Sequence, residues 1–219
     1  MTQTVALEVA RALLDIGAVG FSPTVPKTFK SGIISPVYVD NRRLPFHPPQ
    51  WHTVINGFAS LINDLTIASD VIAGVAVGGV PHSAALAYHL KKPSIFIRKE
   101  AKGHGNQQRI EGGDVKGLRV ILIEDLVTTG GSSLDAVHAL RSAGALVDDV
   151  LAIVSYGFKE ARYAFEDTGV HLHTLTNFES ILTEAVARGI FDHKAEIIIR
   201  DWFEDAPGWA ARQGLQGKP

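Results

Sequence analysis

The chain contains no cysteine, which excludes a disulfide framework, a thiolate metal site and a cysteine nucleophile. It has no run of about 18 or more apolar residues, so no membrane-spanning helix is expected. The N-terminal stretch MTQTVALEVARALLDIG lacks the basic start and small-residue cleavage site of a signal peptide, and a cytoplasmic location is expected. A formal net charge of −2 gives no general attraction to nucleic acid or anionic lipid, so any anion must be held locally. The absence of both a Walker A sequence and a GxGxxG fingerprint weakens NTPase and dehydrogenase readings. Internal repeats, low-complexity tracts and linkers are also missing.

What remains is 219 residues, 46% hydrophobic and 20% charged with 21 glycines, enough for one α/β domain spanning 1–219. Val5, Val9, Ala12, Leu13 and Ile16 recur at helical spacing. A turn-rich section follows, with a short strand around Val37, Tyr38 and Val39, and residues 1–49 read as a small N-terminal cap. From residue 50 to about 205, helical and strand patterns alternate as in a parallel sheet. Strands are expected at DVIAGVAV, SIFIRK, VILI, DDVLAIVSY and VHLHTL, and helices at 50–65, 82–90, 132–143, 159–168, 180–188 and 193–204. The glycine- and charge-rich segment 100–117 is expected to be a mobile loop, and the tail, about 206–219, to fray from Pro207 onward.

The stretch VILIEDLVTTGGSS, residues 120–133, carries the chemistry. Its aliphatic run reads as a central strand buried on both faces. In a parallel sheet, ligands bind outside the carboxyl ends of such strands. Gly130 and Gly131 permit close backbone approach, the hydroxyls of Thr128, Thr129, Ser132 and Ser133 can donate, and the following helix offers unpaired N–H groups. That describes a phosphate cradle. Glu124 and Asp125 would repel a phosphate unless they engage hydroxyls or a cation. A ribose 5-phosphate supplies vicinal hydroxyls a few ångströms from its phosphate. The plainer reading, in which Glu124 caps a turn and Asp125 caps the helix, uses the same residues.

An apolar run, two acids, two variable residues and Thr-Thr-Gly-Gly-Ser resemble the 5-phosphoribosyl 1-diphosphate (PRPP) signature of type I phosphoribosyltransferases. SGIISPVYVDNR (31–42) and RKEAKGHGNQQRIEG (98–112) are similar to the base-side segment and catalytic loop of orotate phosphoribosyltransferases, in the family's order, over roughly residues 5–205. The resemblance implies the type I phosphoribosyltransferase fold: a central, mostly parallel sheet flanked by helices, with a small N-terminal cap or hood. It implies transfer of phosphoribosyl from PRPP to orotate, giving orotidine 5′-monophosphate and diphosphate in pyrimidine biosynthesis. Transfer to another base, or a non-catalytic PRPP-binding regulator, are the alternatives.

The same resemblance assigns Glu124 and Asp125 to the ribose hydroxyls. Thr128, Thr129, Gly130, Gly131 and Ser132 fall to the 5-phosphate, with Thr128 also near the pyrimidine, and Leu126 and Val127 count among the PRPP-binding residues. Mg2+ is expected, held mainly through PRPP, with no protein metal site. Arg98, Lys99, Lys102 and His104 are the cations that would neutralise the departing diphosphate, Lys102, His104 and Asp125 being the catalytic set. The family forms a homodimer in which the 98–112 loop reaches the neighbouring active site, and no nucleic-acid or membrane partner is expected.

Orotate carries a carboxylate beside its reacting nitrogen, and Lys30, Tyr38 and Val39 are the matching base-side positions, with Phe29 offering apolar surface. Two positions depart from the family. Gly78 stands where some members have a lysine, and residues 156–158 where some have an arginine. DNRR, residues 40–43, reads as a loop-ordering ion-pair group rather than a catalytic one. His171 and His173 share a strand face and lack evident partners.

Overall fold

A computed structural model describes residues 3–29, 32–100 and 109–215. Lys30, Lys102 and His104 lie outside them. The chain begins with helix α1 (Gln3–Asp15), then β1 (Val19–Phe21), β2 (Lys27–Thr28), β3 (Ile34–Ser35) and β4 (Val37–Val39), a 3-10 turn at Asn41–Phe46, and α2 (Pro48–Asp64). β1 pairs antiparallel with β4, and β2 with β3, forming the hood.

The main body alternates β5 (Val71–Val75), α3 (Gly79–Leu90), β6 (Ser94–Ile97), β7 (Ile110–Glu111), β8 (Val120–Val127), α4 (Gly131–Ser142), β9 (Asp149–Ser155), α5 (Lys159–Thr168) and β10 (His171–Asn177). These strands form one six-stranded sheet in the order β10-β9-β8-β5-β6-β7. All neighbours pair parallel except β7, which runs antiparallel to β6. The expected loop at 100–117 therefore gives the sheet its edge strand over part of its length. Phe96 and Ile97 find partners in Glu111 and Ile110, and Val115 is buried, more order than the glycine content suggests.

Side-chain alternation divides the apolar strands between two cores. Ile72, Ile121, Ile123, Leu151 and Ile153 face the core shared with α1, α2, α3 and the hood. Val71, Ala73, Val120, Leu122, Val150 and Ala152 face the core capped by α4 and α5. The sheet is thus buried on both sides, which is why its strands read as near-continuous apolar runs. None of the helices described is long and apolar enough to cross a membrane.

After β10 come α6 (Phe178–Ala187), α7 (His193–Glu204) and α8 (Ala206–Arg212). The expected frayed tail is helical as far as Arg212 because Asp205 caps α8, its side chain accepting from the Gly208 N–H, while Trp209 is fully buried. Trp202, also fully buried, donates its Nε1–H to the Ile34 carbonyl at 2.8 Å, so the C-terminal helices brace the N-terminal hood. A single tryptophan in a polar, glycine-flanked tail is a weak sequence signal; burial against a distant segment decides it.

Trp209→Ala should destabilise the protein by about 3–5 kcal/mol, the range for truncating a buried large aromatic. Urea unfolding monitored by circular dichroism measures this, and a loss below about 1 kcal/mol would mean that α8 is peripheral.

Candidate active site

The order of strands reverses between β5 and β8: the chain leaves β5 for β6 on one side and β8 for β9 on the other. A crevice opens outside the carboxyl ends of strands at such a switch point. It holds a cavity of about 550 Å3 lined by Tyr38, Val39, Asp40 and Arg42 from the hood, Val75 to Gly78 after β5, Lys99, and Glu124 to Ser133.

β8 runs further than its aliphatic portion. Glu124 and Asp125 lie inside the strand, with Glu124 paired in register with Ala152 and Val127 with Ser155. Strand alternation starts the two side chains on opposite faces, and their carboxyl groups meet at the strand end. Glu124 turns toward α4, where the Ser133 hydroxyl donates to its Oε2 at 3.2 Å and the Asp125 N–H to its Oε1 at 3.1 Å. Asp125 turns toward the 76–79 turn, and the Asn41 side-chain amide donates to its backbone carbonyl at 2.6 Å, tying the hood to the strand end.

Glu124 is only 5% exposed. Burial pushes its carboxyl well above the usual range, and the neighbouring Asp125 adds to the effect. Asp125 is raised as well, chiefly by burial, although its contact with Glu124 and nearby backbone N–H groups oppose the shift. The pair therefore holds a proton more readily than two exposed acids would, and can offer both a donor and an acceptor to vicinal hydroxyls.

Glycines shape the walls. Gly130, at φ 84°, precedes α4 in the left-handed region, and a Cβ there would stand 2.9 Å from the Phe165 ring. No side chain caps α4, so its first N–H groups and positive dipole end remain directed to the cavity for an anion. A Cβ on Gly79 would come within 2.4 Å of the Ile123 carbonyl, which is how closely α3 approaches β8.

The geometry gathers Tyr38, Val39, Lys99, Glu124, Asp125, Leu126, Val127, Thr128, Thr129, Gly130, Gly131 and Ser132 around one cavity. Arg98 lines an adjoining space of about 200 Å3 with Lys99, Gly131 and Ser132, its Nη1 3.3 Å from Glu111. Phe29 is not on the cavity wall. It stacks on Tyr156 at 5.7 Å and meets Trp202 edge-on. Tyr156, 4% exposed, belongs to that aromatic layer with Phe158, so the position that carries an arginine in some members is filled here by apolar packing.

Gly78 lies on the cavity wall, in the VGGVP turn (77–81) whose backbone the family resemblance brings toward the diphosphate, and Asp40 and Arg42, read as loop-ordering, line the cavity too. DNRR does order the loop: Arg42 bonds Asp40, and Arg43 donates to the Gly17 carbonyl at 2.8 Å. Arg42 and Asp40 nevertheless face the cavity as well. Their position directly after the base-side strand was the available signal. His173, thought to lack a partner, has its Nε2 2.7 Å from Asp149 at the other end of the sheet. A larger cavity of about 860 Å3 between β7 and α4 contains neither the acid pair nor the phosphate turn.

Behind the 76–79 turn, fully buried His82 accepts from Trp51 Nε1 through its Nδ1 at 2.9 Å, which leaves the proton on Nε2. Burial depresses its pKa to about 4 from 6.5.

A profile of the phosphoribosyl transferase domain matches residues 47–177. The orotate phosphoribosyltransferase of Coxiella burnetii is 38% identical over 204 residues, 93% of this chain and 98% of that protein. Among solved structures, Leishmania donovani UMP synthase superposes with a TM-score of 0.79 at 29% identity, covering 91% of this chain and 42% of that longer one. Aeropyrum pernix orotate phosphoribosyltransferase superposes with a TM-score of 0.73 at 32% identity, covering 82% and 98%. The chain belongs to the phosphoribosyltransferase family and, within it, to the orotate phosphoribosyltransferases.

His82 gives this site's scaffold a pH dependence. A depressed histidine contributes stability that is present above the unfolded value of 6.5 and is lost as pH falls toward 4. Between pH 7 and 5 the wild type should lose about 2 kcal/mol more than His82→Gln, which keeps an acceptor for Trp51 but does not titrate. Denaturant unfolding at the two pH values measures the difference; parallel losses would contradict it.

Proposed function

We propose that this protein transfers the 5-phosphoribosyl group of PRPP to orotate, forming orotidine 5′-monophosphate and diphosphate. The observation that carries this reading is the acid pair at the end of β8, Glu124 buried and Asp125 half-buried, beside the uncapped N-terminus of α4. A simple phosphate site has no use for two carboxylates, whereas a ribose 5-phosphate uses both halves.

In this reading Glu124 and Asp125 engage the ribose hydroxyls, and residues 128–132 cradle the 5-phosphate with amides and hydroxyls. The bond between the anomeric carbon and diphosphate breaks with its electron pair leaving on the diphosphate oxygen. Positive charge builds on the ribose ring and is stabilised electrostatically by Asp125. The orotate nitrogen forms the new bond, and its proton passes to the departing diphosphate or to water. Lys99, Lys102, His104 and Arg98 are the groups assigned to the charge on the departing diphosphate.

Hard carboxylate oxygens in the cavity suit Mg2+ that keeps waters and takes most of its ligands from substrate phosphates. Bound in that way it would neutralise diphosphate charge. The homodimer, with segment 98–112 serving the neighbouring site, and a cytoplasmic location belong to the same proposal. Gly78 and buried Tyr156 supply no cation where some members have one, which favours keeping a second base specificity as the competing reading.

Incubation of the purified protein with PRPP, Mg2+ and each candidate base, followed by diphosphate release, tests the assignment. Orotate should be the preferred acceptor, and preference for another base would replace this reading. Lys102→Ala should lower kcat about a hundredfold or more, the scale for losing one transition-state charge stabiliser, with an unchanged circular dichroism spectrum. Wild-type turnover in that folded variant would remove Lys102 from the mechanism.

A further inference from the structure

With ribose, 5-phosphate and diphosphate set against β8, the α4 turn and the 76–79 turn, the wall made by the hood, with Tyr38 and Val39, is left for the acceptor base. Arg42 is the only cation that the hood contributes to this cavity among the described residues. Its guanidinium is held at two points: Nε donates to Asp40 Oδ1 at 2.6 Å, and Nη2 donates to the Tyr38 hydroxyl at 3.1 Å. The side chain is still 60% exposed. No acceptor among the described residues meets Nη1, so the Nη1–Nη2 edge can take a second planar partner.

Lys27 adds to the local field. Its ammonium lies 4.5 Å from the centroid of the Tyr38 ring, so two cations and one carboxylate surround this tyrosine. Two other routes to a cation are closed. A Cβ on Gly78 would stand 2.4 Å from the Asp125 carboxylate, which leaves no room for a side chain in that direction. Tyr156 is enclosed by Phe29, Phe158 and Trp202.

We propose that Arg42 recognises the carboxylate of the acceptor base, making the hood the element that selects an acidic pyrimidine over a neutral one. The inference rests on the proposed orotate phosphoribosyltransferase activity and extends it to a residue. A guanidinium fork matches a planar carboxylate with two parallel N–H bonds, which an ammonium cannot do. Asp40 and Tyr38 already restrict its rotamers, so less conformational freedom is lost when the base docks.

The experiment compares wild type, Arg42→Ala and Arg42→Lys. Three readouts are needed: the KM for orotate at saturating PRPP, PRPP affinity by calorimetry with Mg2+, and competition by the neutral carboxamide analogue of orotate. Arg42→Ala should raise the orotate KM about ten- to hundredfold, the range for losing hydrogen bonds to a charged group. PRPP affinity should stay within about twofold, the bound on a group that does not touch phosphate. The wild-type preference for orotate over the carboxamide should collapse. Arg42→Lys should be intermediate, and it carries the test if the alanine variant does not fold.

An unchanged orotate KM in a folded variant overturns the proposal and leaves Arg42 as a loop-ordering residue. Weakened PRPP binding also overturns it, by assigning the cation to the diphosphate. A wild-type enzyme that ignores orotate sinks the broader function and this inference together, whereas failure of the variants alone sinks only the latter.

Discussion

The structure turns on two adjacent carboxylates kept at the buried end of a central strand. Withdrawing Glu124 from water is costly unless it is protonated or hydrogen-bonded. The protein supplies both remedies: Ser133 and the Asp125 amide donate to it, and burial raises the carboxyl so that it retains a proton more easily. A pair held in this state is poised for hydroxyls. Much of the surrounding architecture serves to keep it there, from the glycine at 79 that lets α3 approach β8 to the hood asparagine that grips the Asp125 carbonyl.

Strand geometry sets the division of labour. A period of two gives Glu124 to the α4 side and Asp125 to the α3 side, so neighbouring residues address different parts of one cavity. The uncapped α4 then supplies donors beside the acids. Rigid elements position these groups, while the hood, braced by Trp202 and Trp209, closes the remaining wall.

The parallel core was legible in the sequence because its strands are apolar on both faces and its turns carry glycine. The phosphate turn was legible for the same reason: Thr128 to Ser132 combine hydroxyls, glycines and a helix start within a few residues. Features set by distant contacts were not. α8, with its buried Trp209, packs against β3 far along the chain, β7 exists through pairing with β6, and His173 finds its acid on a neighbouring strand. Arg42 was read as a loop-ordering residue because DNRR shows local charge pairing, while most of the cavity it faces is built from segments more than 30 residues away. Tyr156 could be read only as a missing arginine until its aromatic neighbours were in view.

The central claim is that the acids face a sugar and the amides face its phosphate. The most direct measurement is a crystal structure of the protein soaked with PRPP and Mg2+. The account predicts ribose hydroxyls within hydrogen-bonding distance of the Glu124 and Asp125 carboxylates, with the 5-phosphate on the backbone of residues 128–132. Ligand density seated elsewhere, or a phosphate turned toward the acids with the sugar outside, would contradict it.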